Sequence, residues 1–411
     1  MGSNGVTIDD STAETSVGER DMISTLHESI LGLILSFVPI VDAVSTSVLS
    51  RRWIEVWSSL STLKLDDSLL FYGKKMQKEQ FINFVEKVLL QFTNSSIQIF
   101  SLCLTSHQYD ASQISEWISF ILERRVEKLH IQYADKLFLS SNSLFRCNSL
   151  IELTLQMRCT LSLPISVRLT NLQKLNISGI KFVSDSFTYS KDITLSFPIL
   201  KVFEARGCEW SIMQNISLQV PLLETFSIAI WNRHSNESCK YGTIKVYSQR
   251  LTDFSYEGDL EQDIVLYGST LIRNASIVIV IDEDKEDKVE KLGFQAYNLI
   301  RQMEEVKRLK LLFYKGVADL HKDVLASAMV PHCFLSSFKV FQFKGFNANE
   351  DDLCLVKFML ANAETLEKMT IYPAFWLRYS DIDIGKVKEH ILSLPKCSSF
   401  CVVEFSDIDN S

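Results

Sequence analysis

The sequence has no apolar run long enough to cross a bilayer. The longest, ILGLILSFVPIV (Ile30 to Val41), falls short of the roughly 20 residues a spanning helix needs and is interrupted by Pro39. Positive charge is not in excess either: 42 Lys and Arg stand against 50 Asp and Glu, a formal net charge of −8. Nucleic acid and anionic membranes are bound through clustered cations, so neither is an expected partner. Residues 1–20, polar and rich in Gly, Ser and Thr, have no basic segment ahead of an apolar one, and Val6 stands where a myristoylation motif wants Ser or Thr. They are expected to form a disordered tail outside any secretory route. The five glycosylation-type sequons, at Asn94, Asn176, Asn215, Asn236 and Asn274, are accordingly read as coincidental.

Metal-binding and catalytic patterns are missing too. Nine cysteines occur without a Cys-x-x-Cys, an odd number that suits reduced thiols in nucleus or cytoplasm. Cys397 and Cys401 have no histidine at zinc spacing, and His332 with Cys333 stands alone. There is no Gly-rich phosphate loop, no Gly-x-Ser-x-Gly elbow and no His-Glu-x-x-His. The charged stretch DEDKEDKVEK (282–291) lacks the central glycine of a calcium loop and reads as a solvated loop leading into a helix. A non-catalytic protein without metal or cofactor is expected.

What the chain does have is 46% hydrophobic residues, enough for a sizeable core and more than one domain, and an internal repeat. From residue 126 onward a six-residue unit recurs with apolar side chains at its first, fourth and sixth places. The copies are VEKLHI (126–131), LIELTL (150–155), LQKLNI (172–177), LKVFEA (200–205), LETFSI (223–228), LTDFSY (251–256), VKRLKL (306–311), FKVFQF (338–343) and LEKMTI (366–371). From Leu129 to Phe254 the fourth positions are 24, 22, 28, 23 and 28 residues apart, close to the period of leucine-rich repeats; later gaps are longer. In a strand the fourth and sixth side chains point one way and their neighbours the other, so stacked units would share one core. The expected fold is α/β, a curved parallel sheet in an irregular leucine-rich-repeat solenoid over 67–333. Cys208 sits where such repeats place Asn or Cys to satisfy the turning backbone. Between repeats, Ile114, Trp117, Ile118, Ile121 and Leu122 fall on one face of a helix. The side chains pointing away from the core define a target surface: Glu152, Thr154, Lys174, Asn176, Val202, Glu204, Thr225, Ser227, Asp253, Ser255, Arg308 and Lys310.

Ahead of the repeats, residues 21–66 carry apolar positions at helical spacing (Ile30, Leu31, Ile34, Leu35, Val38), a proline-terminated helix and two further short helical segments. About 45 residues is marginal for independent stability, which suggests docking onto another protein. The motifs Leu26-His27, ILSF (34–37), VDAV (41–44), SVLS (47–50) and RRW (51–53) resemble, in order and spacing, the F-box of plant proteins. His27 stands where that family has Pro, Ser29 where it has an acidic or polar residue, and Val41 where it has Lys. FLSSFKVFQFKGFNANEDDLCLVKFMLANAETLEKMTIY (334–372), with Lys344, Gly345, Phe346, Leu355, Val356 and Leu360, followed by LPKCSSFCVVEF (394–405), resembles the FBD domain over 334–406. Residues 407–411 form a short tail.

The combined resemblance, to FBD-associated F-box proteins with leucine-rich repeats, implies a substrate receptor of a cullin-RING ubiquitin ligase. Leu26, His27, Ile30, Leu31, Ile34, Val48, Leu49 and Trp53 would contact an SKP-type adaptor, flanked by Arg51 and Arg52, while Trp57 would pack against the first repeat. Two other readings stay open: a receptor that needs a small molecule on its repeat surface, and an interaction scaffold independent of ubiquitin, for which His27 is the sequence hint.

Overall fold

In the computed structural model, residues 22 to 406 are described apart from 24, 69, 72–73, 107, 140, 165, 185–191, 211–214, 231–241, 261, 269–270, 281–294, 297, 315–329 and 381. The tails 1–20 and 407–411, the charged stretch 282–291 and the sequon at Asn236 lie outside the described residues.

Thirteen strands, all parallel, form one long sheet that begins at Thr62–Asp66 and ends at Val402–Phe405. Their register repeats a single rule. Leu63, Phe100, Leu129, Leu153, Leu175, Phe203, Phe226, Phe254, Ala275, Leu309, Phe341, Met369 and Val403 stand side by side as one buried row. A second buried row, two residues on, runs from Leu65 through Ile131, Ile177, Tyr256 and Phe343. Each unit therefore shares its core with both neighbours, and stacked rings follow: Phe203 on Phe226 at 5.2 Å and Phe226 on Phe254 at 5.8 Å between centroids.

The solenoid extends beyond the nine units counted from residue 126. LSTLKL (60–65) and IQIFSL (97–102) precede them with the same spacing, IRNASI (272–277) fills the gap after Phe254, and FCVVEF (400–405) closes the sheet. Ala275 at the fourth place hides the third of these from a search for large apolar residues. The FBD segment is built as the last turns of this solenoid. A second parallel sheet of five short strands covers the other side of the middle repeats, from Ser166–Arg168 to Asp263–Tyr267.

The local devices are specific. Cys208 is buried with its Sγ 3.8 Å from the Ile177 carbonyl and 3.7 Å from that of Arg206, and burial pushes its thiol up to about 11. All eight described cysteines are free thiols. The helix Ala111–Leu122 buries Ile114, Trp117, Ile118 and Ile121, and Asp110 caps it by accepting from Ser112 N at 2.8 Å. Asp67, fully buried at the end of the first strand, accepts from Thr105 N at 3.0 Å, Ser106 N at 2.9 Å and Tyr109 Oη at 3.3 Å. Removing it strands buried donors, so Asp67→Ala is expected to cost about 2–3 kcal/mol in urea unfolding. Asp67→Glu, which keeps the charge, should recover part of it; equal stability of wild type and Asp67→Ala would refute the role.

Candidate protein-docking site

The first forty residues of the described chain form three helices: α1, Glu28–Ser36; α2, Ile40–Ser45, entered through Pro39 and followed by a 3-10 turn at Thr46–Val48; and α3, Arg51–Ser58. α1 is apolar on two faces. Leu31 and Leu35, four residues apart, are buried, as are Ile40, Val41, Ala43, Val56 and Trp57. Val41, which takes the place of the F-box lysine, is thus a core residue.

The opposite face of α1 has no cover among the described residues. Ile30, Leu33, Ile34 and Phe37 recur at i, i+3, i+4 and i+7 and are exposed, Phe37 to 81%. Val48 and Leu49 lie exposed at the turn before α3, Val48 to 88%, and Met22, Ile23 and Val38 add to the set. These nine are close to half of the twenty large exposed apolar side chains among the described residues, concentrated in fewer than thirty positions. Exposed apolar side chains so concentrated are what a docking surface carries.

Of the adaptor positions read from the sequence, Ile30, Ile34, Val48 and Leu49 are on this exposed face. Leu31 is not: at 1% exposure it belongs to the core, because α1 turns its Leu31–Leu35 stripe inward. Leu26 and Trp53 are partly buried against the core. Leu33 and Phe37 complete the exposed stripe and were missed, although their i+3 and i+7 spacing from Ile30 was there to find.

His27 caps α1: its Nδ1 accepts from Ser29 N at 3.3 Å and lies 2.9 Å from the Ser29 hydroxyl. Its backbone, φ −67° and ψ 149°, is the conformation a proline would hold. Arg52 is an internal clamp, its guanidinium donating to the Leu26 carbonyl and lying 4.0 Å from the Glu28 carboxylate, whereas Arg51 is exposed.

The solvent face of the long sheet is the second surface, and several of its charges are answered from within. Lys128 pairs with Glu152 at 2.5 Å, Lys368 with Glu404 at 2.7 Å, and Lys339 with Glu367 at 2.6 Å. Asn176 Nδ2 donates to Glu204 at 2.8 Å, and Asn274 Nδ2 to Asp253 at 2.8 Å. Asn215 likewise donates to Asp192 at 2.7 Å on the second sheet, so three sequon asparagines serve as cross-strand donors.

The predicted target residues do not form one cluster. Asp253, Arg308 and Lys310, with Thr225 and Ser255, line a single cavity of about 340 Å³ that also takes in Asn274, Ser276 and Gln342. Glu152, Thr154, Lys174, Asn176, Val202, Glu204 and Ser227 lie on the same face of the sheet but outside that cavity. Asn274, Ser276 and Gln342 are additions, the first two carried by the unit that Ala275 hides.

Comparison with known proteins finds two domain families on the chain. The F-box domain model matches residues 23–65 and the FBD model residues 327–371. An F-box/FBD/LRR-repeat protein of Arabidopsis thaliana is 25% identical across 94% of this chain and 94% of its own length. An FBD-associated F-box protein of the same plant is 25% identical across 94% of this chain and 100% of its own. An F-box/LRR-repeat protein, also from Arabidopsis, is 31% identical over 50% of this chain and 55% of its own. With both domains in place and the repeat sheet running between them, the chain carries an F-box and an FBD domain and is similar along most of its length to plant F-box/FBD/leucine-rich-repeat proteins.

Proposed function

We propose that the chain is the substrate-recognition subunit of an SCF-type, cullin-RING ubiquitin ligase. Its F-box docks on an SKP-type adaptor through Ile30, Leu33, Ile34, Phe37, Val48 and Leu49, and the solvent face of the long sheet holds the target. The observation that carries this reading is the uncovered apolar stripe of α1 with its extension at Val48 and Leu49, set in an F-box match. Such a subunit needs no reacting groups. It raises the effective concentration of target near the ubiquitin-loaded enzyme, and the transfer chemistry is supplied elsewhere.

Capture of a purified SKP-type adaptor by the full chain tests it. Ile34→Glu with Val48→Glu places charges on exposed positions, so the melting temperature should hold while affinity falls at least a hundredfold, about 3 kcal/mol. Leu31→Ala is unsuitable as a docking variant because it opens the core. His27→Pro preserves the backbone angle, exchanges the cap for a rigid entry into α1, and is expected to change affinity by less than tenfold. If the native chain fails to bind while His27→Pro binds, the scaffold reading replaces this one. If neither binds, the stripe serves a different partner.

A further inference from the structure

Arg308 and Lys310 sit two residues apart on the strand Arg308–Tyr314, so their side chains leave the same face of the sheet, about 7 Å apart along the strand. Neither has an acidic partner among the described residues, whereas Lys339 and Lys368, on or beside the next two strands, pair with Glu367 and Glu404, and Lys344 lies over the Tyr372 ring at 5.0 Å. Arg273 and Lys307, which immediately precede the strands Asn274–Val280 and Arg308–Tyr314, are exposed and also lack an acidic partner among the described residues. Four cations thus gather on two adjacent strands of a chain whose net charge is −8. Like charges so placed repel and do nothing for folding, and local rules broken without a stability gain are a property of functional sites.

Two of them, Arg308 and Lys310, border a cavity. Beside them the row that faces solvent narrows to Ser255 and Ser276, whose short side chains leave a trough of about 340 Å³ walled by Lys310 and Gln342. The Ser255 and Ser276 hydroxyls have no partner among the described residues and are free to donate. Asp253, the carboxylate on the rim, is occupied: Oδ1 accepts from Asn274 and Oδ2 from Thr252 at 2.7 Å. It neither neutralises Arg308 nor closes the trough.

We propose that this cavity receives a carboxylate side chain from an extended acidic segment of a partner protein, held between Arg308 and Lys310 with Ser255 and Ser276 donating to it. The identification of that partner as the ligase target rests on the function proposed above; the site itself does not.

The test uses the full chain and a fluorescein-labelled peptide of alternating Ser and Glu, with Gln and Lys counterparts, followed by anisotropy. The Glu peptide should bind, weaken as salt is raised, and lose at least tenfold in affinity with Arg308→Ala plus Lys310→Ala. Lys64→Ala, at an exposed lysine on the same face nine strands away, should change it by less than twofold. Arg308→Glu with Lys310→Glu should prefer the Lys peptide. The proposal falls if the Glu peptide does not bind, if the Gln peptide binds as well, if only a phosphoserine version binds, or if Lys64→Ala costs as much as the double variant. Adaptor capture on the same samples separates the two readings. A chain that captures adaptor and ignores the Glu peptide refutes the cavity alone, and the converse refutes the adaptor docking alone.

Discussion

Trp57→Ala is expected to destabilise the chain by about 3–5 kcal/mol and to loosen the three helices and the first repeats together. Trp57 is fully buried in a core that runs without a break from Leu31 through Val56 and Leu63 into the repeats, and its indole N–H donates to Ser47 Oγ at 2.8 Å. The end of α3 is sealed from the repeat side. The Ser58 carbonyl accepts from Thr93 N at 3.0 Å and Thr93 Oγ1 at 3.2 Å, and Asn94 Nδ2 donates to the Ser59 and Leu60 carbonyls at 3.0 and 3.2 Å. The Ser58 and Ser59 carbonyls are among those a helix C-terminus leaves open, and Leu60 opens the first unit of the solenoid. A void at residue 57 therefore removes packing from both sides of the seam. Trp53→Ala, four residues earlier and partly buried, should cost about 1–2 kcal/mol. Urea unfolding followed by hydrogen exchange distinguishes them: Trp57→Ala should speed exchange both in α1 to α3 and in the strands 62–66 and 99–104. An unfolding midpoint shared by Trp57→Ala and Trp53→Ala would mean that the seam is not where the domains are joined.

How much of this was readable in advance depends on the residue. The rule of apolar first, fourth and sixth places was legible wherever all three side chains were large, and it predicts the sheet, its parallel sense and its solvent face. It failed at Ala275, where the neighbours Phe254 and Leu309 supply the bulk and the repeat tolerates a small residue. At α1 the difficulty was phase. A helix that is apolar almost all round gives no internal sign of which stripe faces its own core, so spacing alone does not separate Leu31, which turns inward, from Leu33 and Phe37, which turn outward. Tertiary packing decides that question. The capping by His27 was invisible for another reason, since its geometry depends on Ser29 and on a backbone entry that composition does not report. In the cavity, Arg308 and Lys310 were legible as outward-pointing residues. That no described acid pairs with them is a property of the whole row, and it appears only once thirteen strands are set in register.

Stability should fall as pH rises from 5 to 8, by about 3 kcal/mol from Asp352 alone. The side chain is 2% exposed at the start of the helix Glu350–Asn362, and burial pushes its carboxyl up to about 7 although the backbone N–H groups of Asn347 and Ala348 donate to it and favour its charged form. An exposed aspartate titrates near 3.9, so between these values the folded chain holds a proton that the unfolded chain releases. Folding is favoured by that proton below about pH 4, and the contribution is lost as pH climbs through 7. The carboxyl is kept in this costly place by the corner it holds. Gly345, at φ +77°, shifts the register of the sheet between Lys344 and Phe346, Ala348 follows at φ +60°, and Asn347 Oδ1 accepts from Trp376 Nε1 at 3.0 Å. Asp352 ties the backbone of that turn to the helix behind it, which is the part of the chain that the FBD match covers. Asp352→Asn keeps the size and one acceptor but cannot ionise, so its unfolding free energy should change less between pH 5 and 8 than that of the native chain, by most of those 3 kcal/mol. Parallel pH profiles for the two proteins would mean that the corner stays charged throughout, with its backbone donors outweighing the burial.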